Sequence, residues 1–318
     1  MRVACIVGPT ACGKTWLGVE LAHRLGSEIV SADSRQVYRG LDIGTGKDLH
    51  EYSRVDPPVP YHLIDVADPD QVFTLFDFQR TCYQVLRDRA RMGIFGSGRV
   101  PLLMVGGSGL YLEAVLRQYR IADVPEDRDL RLRLMAQPRE ELVARLLDEH
   151  PALALQTDLS STKRVVRALE IAAAEAAGPV AFSEPHGLDV NYCVLGLKVD
   201  RATLARRIGE RVESRLAEGM VGEVSRLLRG GLSRRRCEML GMEYRVIAAH
   251  LDGTVGFNEM VDGLEREIRR LAKRQMTYFR GMERRGVPIF WIEAGDFEAA
   301  LRILADPESW QEIAPAQS

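Results

Sequence analysis

Gly8-Pro9-Thr10-Ala11-Cys12-Gly13-Lys14-Thr15 is the stretch that decides the fold. It matches the phosphate-loop pattern GxxxxGK[ST] and lies between an apolar strand-like run and a helix-like segment, which is the context that the motif requires. The glycines let backbone N–H groups wrap an anion at a helix N-terminus. Lys14 adds a positive charge, and the Thr15 hydroxyl is suited to ligate Mg²⁺. The motif predicts a phosphate site but does not identify the molecule that carries the phosphates.

Short apolar runs alternate with helical periodicity on both sides of this loop. Such alternation is typical of a parallel, doubly wound α/β sheet, here of the P-loop NTPase-like kind. Strands are predicted at 3–7, 28–31, 62–66, 101–105, 192–199 and 289–292, and helices at 16–25 and 76–91.

The stretch between about residues 118 and 186 differs from its surroundings, because it is rich in Arg, Leu, Ala and Glu and lacks strand-like runs. We therefore expect a helical insertion domain at 118–188 within an α/β core made of 1–117 and 189–318. From residue 201 onward the pattern is again mostly helical. Residues 306–318 contain two prolines and little apolar patterning, which predicts a loose tail.

Asp33 follows the second predicted strand. Ligands of doubly wound sheets bind where the strands end, so this carboxylate is expected near the phosphate loop as a general base or a metal ligand. A carboxylate in a turn or at a helix N-cap is an equally good interpretation of the residue taken alone.

The charge of the whole chain hides a local basic cluster. The formal net charge is −2, but residues 264–285 contain eight Lys/Arg and three Glu. On a helical wheel, Arg266, Arg269, Arg270, Lys273 and Arg280 gather opposite an apolar face, which suits a phosphate backbone. A solvated helix face is the alternative.

The five cysteines are scattered, without a CxxC pair. This excludes a disulfide framework or a structural zinc site as the basis of the fold and favours a reducing compartment. No signal-peptide pattern opens the chain, and no apolar run is long enough to cross a bilayer. We therefore expect a cytoplasmic protein.

A specific resemblance comes from several blocks in a fixed order. They are GPTACGKT at 8–15, SADSRQVYRGLDIGTGK at 31–47, YHLIDV at 61–66, VGGSGLYL at 105–112, RVVRALEI at 164–171 and LAKRQMTYFRG at 271–281. The series resembles the tRNA dimethylallyltransferase family over roughly residues 3–285. Ser108 stands where that family usually has Thr.

The resemblance implies transfer of a dimethylallyl group from dimethylallyl diphosphate, with Mg²⁺, to N6 of the adenosine 3′-adjacent to the anticodon. Thr10, Lys14 and Thr15 would hold the diphosphate. Thr10 would also be a catalytic residue, and Asp33 would accept the N6 proton. The tRNA anticodon stem-loop would be contacted by a larger set, namely Ser34, Arg35, Gln36, Ser108, Arg164, Arg167, Tyr244, Arg245, Lys273, Arg274 and Arg280. The catalytic arginine of the family would be one of Arg234, Arg235 and Arg236. We expect a monomer.

Three other functions remain open on the sequence. A P-loop kinase for a small metabolite or nucleoside shares the loop and the Asp33 position, but it does not need the basic segment near the C-terminus. A prenyltransferase for free adenine nucleotides does not need it either. A tRNA-binding module without catalysis would not need Lys14 and Asp33.

Overall fold

The computed structural model describes residues 1–91, 100–183 and 190–312. Its strands are β1 Arg2–Val7, β2 Ile29–Ser31, β3 Tyr61–His62, β4 Leu102–Val105, β5 Asn191–Lys198, β6 Phe290–Glu293 and β7 Gln311–Glu312. Its helices are α1 Lys14–Leu25, α2 His50–Ser53, α3 Leu75–Arg91, α4 Gly109–Leu116, α5 Arg128–Met135, α6 Arg139–Glu149, α7 Pro151–Gln156, α8 Thr162–Ala177, α9 Arg201–Ala217, α10 Met220–Arg229, α11 Arg234–Met239, α12 Met242–Leu251, α13 Phe257–Arg284 and α14 Phe297–Ala305.

The described strands form one sheet in the order β3-β2-β4-β1-β5-β6, and all of these neighbours are parallel. Side chains of the central strand β1 alternate between two apolar cores. Val3, Cys5 and Val7 face one core and Ala4 and Ile6 the other, as the period of two along a strand requires. The first core includes side chains of α3, α4 and α13, and the second includes those of α1 and α14. The mixed α/β class with a doubly wound parallel sheet is therefore confirmed.

Two local predictions need correction. The strand expected at 62–66 ends at His62, because Leu63 and Asp65 adopt left-handed backbone conformations with φ of 62° and 57°. The tail expected to be loose from residue 306 is instead packed as far as it is described. Gln311–Glu312 pairs antiparallel with β5, and the Trp310 ring lies under the guanidinium of Arg2.

The chain divides into two compact units. Unit 1 comprises Met1–Tyr119 and Pro185–Ser318 and contains the sheet, and unit 2 comprises Arg120–Glu184. Unit 2 has its own apolar core, in which Leu134, Leu142, Leu146 and Val165 are buried between α5, α6 and α8. The boundary predicted at 188/189 lies outside the described residues.

Candidate active site

The phosphate loop joins β1 to α1. Gly13 is the N-cap of α1 and has a φ of 89°, a backbone conformation that residues with a Cβ rarely adopt. The helix begins at Lys14, two residues earlier than the sequence pattern predicts, so Lys14 and Thr15 belong to its first turn. The Lys14 ammonium donates a hydrogen bond to the carbonyl oxygen of Pro9 at 2.8 Å, which keeps its charge over the loop.

Asp33 lies at the same edge of the sheet, because β2, β4 and β1 are consecutive parallel strands whose C-termini coincide. Its Oδ1 accepts the backbone N–H of Arg35 at 3.0 Å, so the turn role foreseen for an aspartate is present. Oδ2 accepts no hydrogen bond from any described residue, and the side chain keeps 18% of its surface exposed. One carboxylate oxygen of Asp33 is thus available to a ligand.

The loop after β4 joins this edge through Ser108. Its Oγ accepts the backbone N–H of Ser34 at 3.0 Å and donates to the Ser34 hydroxyl at 3.3 Å. The predicted pair Ser34 and Ser108 is therefore brought together beside Asp33.

Arg35 lies between two carboxylates. Its guanidinium donates to Glu243 at 2.6 Å and approaches Asp33 at 3.8 Å. Burial alone would lower the pKa of Arg35, but Glu243 and Asp33 raise it above the ordinary value. Glu243 is only 2% exposed, so Arg35 is the partner that makes burial of this carboxylate tolerable. The sequence pattern gave no indication of Glu243.

Gln36 and the glycine-rich loop at 42–47 form one hydrogen-bonded unit. Gln36 accepts from the Ser31 hydroxyl and donates to the carbonyl oxygen of Gly46. The Glu223 carboxylate accepts the backbone N–H groups of Asp42, Ile43 and Gly44.

Tyr244 is the predicted tRNA contact that the structure contradicts. Its side chain has no exposed surface, and its hydroxyl donates to Glu223 at 2.8 Å. A side chain without accessible surface cannot contact RNA, so Tyr244 supports the glycine-rich loop instead. The neighbouring Arg245 is exposed and 3.4 Å from Glu267, which leaves it accessible to RNA.

Gln275 of α13 ties the phosphate loop to the loop after β4. Its Oε1 accepts the backbone N–H of Thr10 at 2.8 Å, and its Nε2 donates to the carbonyl oxygen of Gly107 at 3.2 Å. No sequence pattern marks Gln275, because a glutamine inside a basic helix carries no motif of its own.

Two arginines of α9 lie beside the phosphate loop. Arg211 and Arg215 line one pocket together with Thr10, Ala11 and Glu243. The Arg211 guanidinium donates to the Asp48 carboxylate. Arg211 and Arg215 were missed because α9 looks like any exposed helix with mixed Arg and Glu. The spacing of Arg211 and Arg215, one helical turn apart, was the available signal.

Two of the three candidates for the catalytic arginine at 234–236 are bound elsewhere. Arg234 pairs with Glu238 and Asp252. Arg236 donates to the carbonyl oxygens of Pro69 and Gln71. None of these three arginines lines the pocket at the phosphate loop, whereas Arg211 and Arg215 of α9 do.

The basic face of α13 is less uniform than the helical wheel predicts. Arg269 pairs with Glu265 and Arg270 pairs with Glu267, each within the helix. Lys273, Arg274 and Arg280 are exposed and form no ion pair with any described residue. The free positive charge is therefore concentrated in the C-terminal half of the helix.

The two predicted tRNA contacts of unit 2 differ in exposure. The Arg164 side chain is 66% exposed and pairs with Asp158. Arg167 donates to the carbonyl oxygen of Val124 and lies 3.5 Å from Glu170, so it also stabilises unit 2.

The described residues offer few ligands for Mg²⁺. Over the described ranges, no group of three or more His, Cys, Asp or Glu side chains could hold a metal ion by itself. The Thr15 hydroxyl makes no hydrogen bond to a described residue and remains free as a ligand. This donor set fits an ion held largely by substrate phosphates and water, which is the usual manner for Mg²⁺.

Among the described residues, no helix is long and apolar enough to cross a membrane.

Comparison with known proteins gives consistent matches over nearly the whole chain. The family model for IPP transferase matches residues 36–282, and that for isopentenyl transferase matches residues 1–54. The chain is 48% identical over 289 residues to tRNA dimethylallyltransferase 1 of Geotalea uraniireducens, covering 91% of each chain. It is 46% identical over 298 residues to tRNA dimethylallyltransferase 1 of Syntrophus aciditrophicus, covering 94% of this chain and 95% of the relative.

A solved structure shows the same fold. The full-length tRNA isopentenylpyrophosphate transferase from Bacillus halodurans superposes with a TM-score of 0.67 at 34% identity, covering 96% of this chain and 94% of that one.

Proposed function

The chain belongs to the IPP transferase family and is an enzyme that transfers a prenyl group to tRNA; we propose that the group is dimethylallyl and the acceptor is N6 of the adenosine 3′-adjacent to the anticodon. In the proposed reaction the N6 nitrogen forms a bond to the allylic carbon, the carbon–oxygen bond to the diphosphate breaks, and one N6 proton leaves. The diphosphate departs with the electron pair of the broken bond.

The phosphate loop holds the diphosphate in this proposal. Its backbone N–H groups, Lys14 and Arg211 stabilise the charge that develops as the carbon–oxygen bond breaks. Arg211 is favoured over residues 234–236 because it lines the same pocket as Thr10. The Thr15 hydroxyl would hold Mg²⁺, which supplies further charge neutralisation when it is bound.

Asp33 accepts the N6 proton. The observation that supports this role is its free Oδ2 at the strand edge shared with the phosphate loop. An exocyclic amine of adenine is a weak nucleophile, so a carboxylate at hydrogen-bond distance assists its attack. Arg35, bound to Glu243, keeps Asp33 oriented through its backbone N–H and its guanidinium.

The target base must leave its stack to reach this edge. The groups available to receive it are Ser34, Gln36 and Ser108, whose positions are fixed by hydrogen bonds. The phosphate backbone of the anticodon stem-loop would lie along the exposed, unpaired charges Lys273, Arg274 and Arg280, with Arg164, Arg167 and Arg245 as further contacts. We place the enzyme in the cytoplasm as a monomer; its five free, buried cysteines suit a reducing compartment.

The test incubates the protein with unmodified tRNA, Mg²⁺ and labelled dimethylallyl diphosphate, with labelled ATP as the parallel donor. Label from dimethylallyl diphosphate is expected on the adenosine next to the anticodon. Phosphoryl transfer from ATP without prenylated tRNA would instead identify a kinase.

The role of Asp33 is tested by Asp33→Asn, with Asp68→Asn as the matched control on an exposed carboxylate. We expect a loss of transfer of about 10²–10⁴-fold in Asp33→Asn, with tRNA binding retained. Normal turnover by Asp33→Asn would remove the general-base assignment.

A further inference from the structure

We propose that Arg215 is a second guanidinium ligand for the diphosphate, in addition to Arg211 and the phosphate loop. The proposal rests on the proposed function for the identity of the anion, and on the environment of Arg215 for the existence of the site.

Arg215 is largely buried and has no close partner for its charge among the described residues. The Arg215 side chain is only 10% exposed, and it donates no hydrogen bond to any residue that the structure describes. Its nearest carboxylate is Asp48, at 3.9 Å from Nη2. A guanidinium carries five N–H donors, and those of Arg215 are left to solvent or to a ligand in the pocket.

The carboxylates near Arg215 already hold other arginines. Asp48 accepts from Arg211, and Glu243 accepts from Arg35 at 2.6 Å. Burial and the like charge of Arg211 lower the pKa of Arg215 to about 10, which Asp48 and Glu243 do not fully offset. Arg215 therefore has no close carboxylate of its own, and an anion in the pocket would supply a partner.

The Arg215 guanidinium also lies beside the phosphate loop. Arg215 lines the same pocket as Thr10 and Ala11 of the phosphate loop. On its other side it lies against Gly46, where a Cβ would overlap Nη2. Gly46 has a φ of 65°, so both its conformation and this contact favour glycine. The absence of a side chain at residue 46 leaves room for the guanidinium beside the phosphate loop.

The chemistry of a guanidinium suits this role. Its planar fork forms paired hydrogen bonds to phosphate oxygens, and Arg211 and Arg215 lie one helical turn apart on the same helix. Two guanidiniums would stabilise the negative charge that grows on the leaving diphosphate.

The experiment compares Arg215→Met with the wild type in the binding of inorganic pyrophosphate with Mg²⁺, measured by calorimetry. Arg206→Gln is the matched control, because Arg206 is on the same helix but is 63% exposed and paired with Glu210. We expect Arg215→Met to bind pyrophosphate at least about tenfold more weakly, since a charge-assisted hydrogen bond contributes about this factor. Arg206→Gln should bind as the wild type does, and tRNA affinity should be unchanged in both variants.

The melting temperature of the ligand-free protein separates a ligand role from a structural one. Because Arg215 is buried without adequate partners, Arg215→Met should melt at the same temperature as the wild type or a few degrees higher. A lower melting temperature with unchanged pyrophosphate affinity would overturn the proposal. If Arg215→Met fails to fold, Arg215→Lys decides: it keeps the charge but loses the fork, and unchanged pyrophosphate binding in that variant would also overturn the proposal.

The two assays distinguish failure of the Arg215 proposal from failure of the proposed function. If the wild type transfers no prenyl group to tRNA, the proposed function is wrong whatever Arg215 does. If transfer occurs but pyrophosphate binding is insensitive to residue 215, only the role of Arg215 is wrong.

Discussion

The backbone N–H of Thr10 donates a hydrogen bond to Oε1 of Gln275 at 2.8 Å, across 265 residues of sequence. The helix that carries the exposed basic charges is thereby joined directly to the loop proposed to hold the diphosphate. The side-chain amide of Gln275 also donates a hydrogen bond to the carbonyl oxygen of Gly107. One side chain therefore fixes the relative position of two loops at the strand edge.

Gln275→Ala should impair donor binding while leaving RNA binding intact. Loss of its two hydrogen bonds frees the phosphate loop, so we expect KM for dimethylallyl diphosphate to rise by roughly fivefold to tenfold. Steady-state kinetics with varied donor, together with tRNA binding by filter retention, measure the two effects. Gln84→Ala, on exposed α3 surface, is the control. Equal losses in donor and tRNA affinity would mean that Gln275 supports the whole fold and not this junction.

On α13, removal of cations that form no ion pair should weaken tRNA binding more than removal of cations that are already paired. Lys273→Gln with Arg274→Gln is expected to weaken tRNA binding by about tenfold and to reduce its salt slope by about one to two. Arg269→Gln with Arg270→Gln, one turn earlier, should cost about twofold or less, because Glu265 and Glu267 already neutralise those arginines. Binding measured over a range of salt concentrations distinguishes the two pairs. If the two double variants showed the same salt slope for tRNA binding, the basic face would be a solvated surface and not an RNA contact.

Glu113 should make the free energy of unfolding depend on pH. Its side chain is buried and accepts hydrogen bonds from Arg285 and Tyr278. Burial raises its pKa, but these hydrogen bonds lower the pKa by a larger amount. The pKa of Glu113 therefore lies below the ordinary value of 4.5. A carboxylate with a lowered pKa contributes stability above its unfolded pKa and loses it as the pH falls through the folded value.

Glu113→Gln should therefore lower the free energy of unfolding at pH 7 by about 1–3 kcal/mol, and the difference from wild type should shrink below about pH 4.5. Urea unfolding at several pH values measures it. Glu265→Gln, which breaks an exposed pair, is the control. A difference that stays constant down to pH 3 would contradict the pKa assignment.

The thiols of the native protein should be unreactive. All five cysteines are buried, and burial raises the pKa of each, to about 12 for Cys82 and, with Asp306 nearby, to about 12 for Cys193. Since the thiolate is the nucleophile, a disulfide reagent at pH 8 should titrate no fast thiol before unfolding and five thiols in urea. A fast native thiol that is lost in Cys12→Ser would show that the phosphate loop opens to solvent.

The sequence by itself determined the features that depend on neighbouring residues. The phosphate loop, the alternation of strands and helices, and the position of Asp33 at a strand end all follow from short-range patterns, and the structure agrees with each. The strand predicted at 62–66 failed because left-handed residues at 63 and 65 are not marked by glycine.

Tertiary structure alone decided which charges far apart in the sequence are paired. The bond from Arg35 to Glu243 spans 208 residues, and that from Thr10 to Gln275 spans 265. No spacing rule connects positions so far apart, so the sequence could not show these bonds or that Tyr244 is buried. The same holds for Arg215: its charge is visible in the sequence, but its lack of a partner depends on how α9 packs against the loops at 8–15 and 42–47. Folding therefore determines which arginines remain available for an anion.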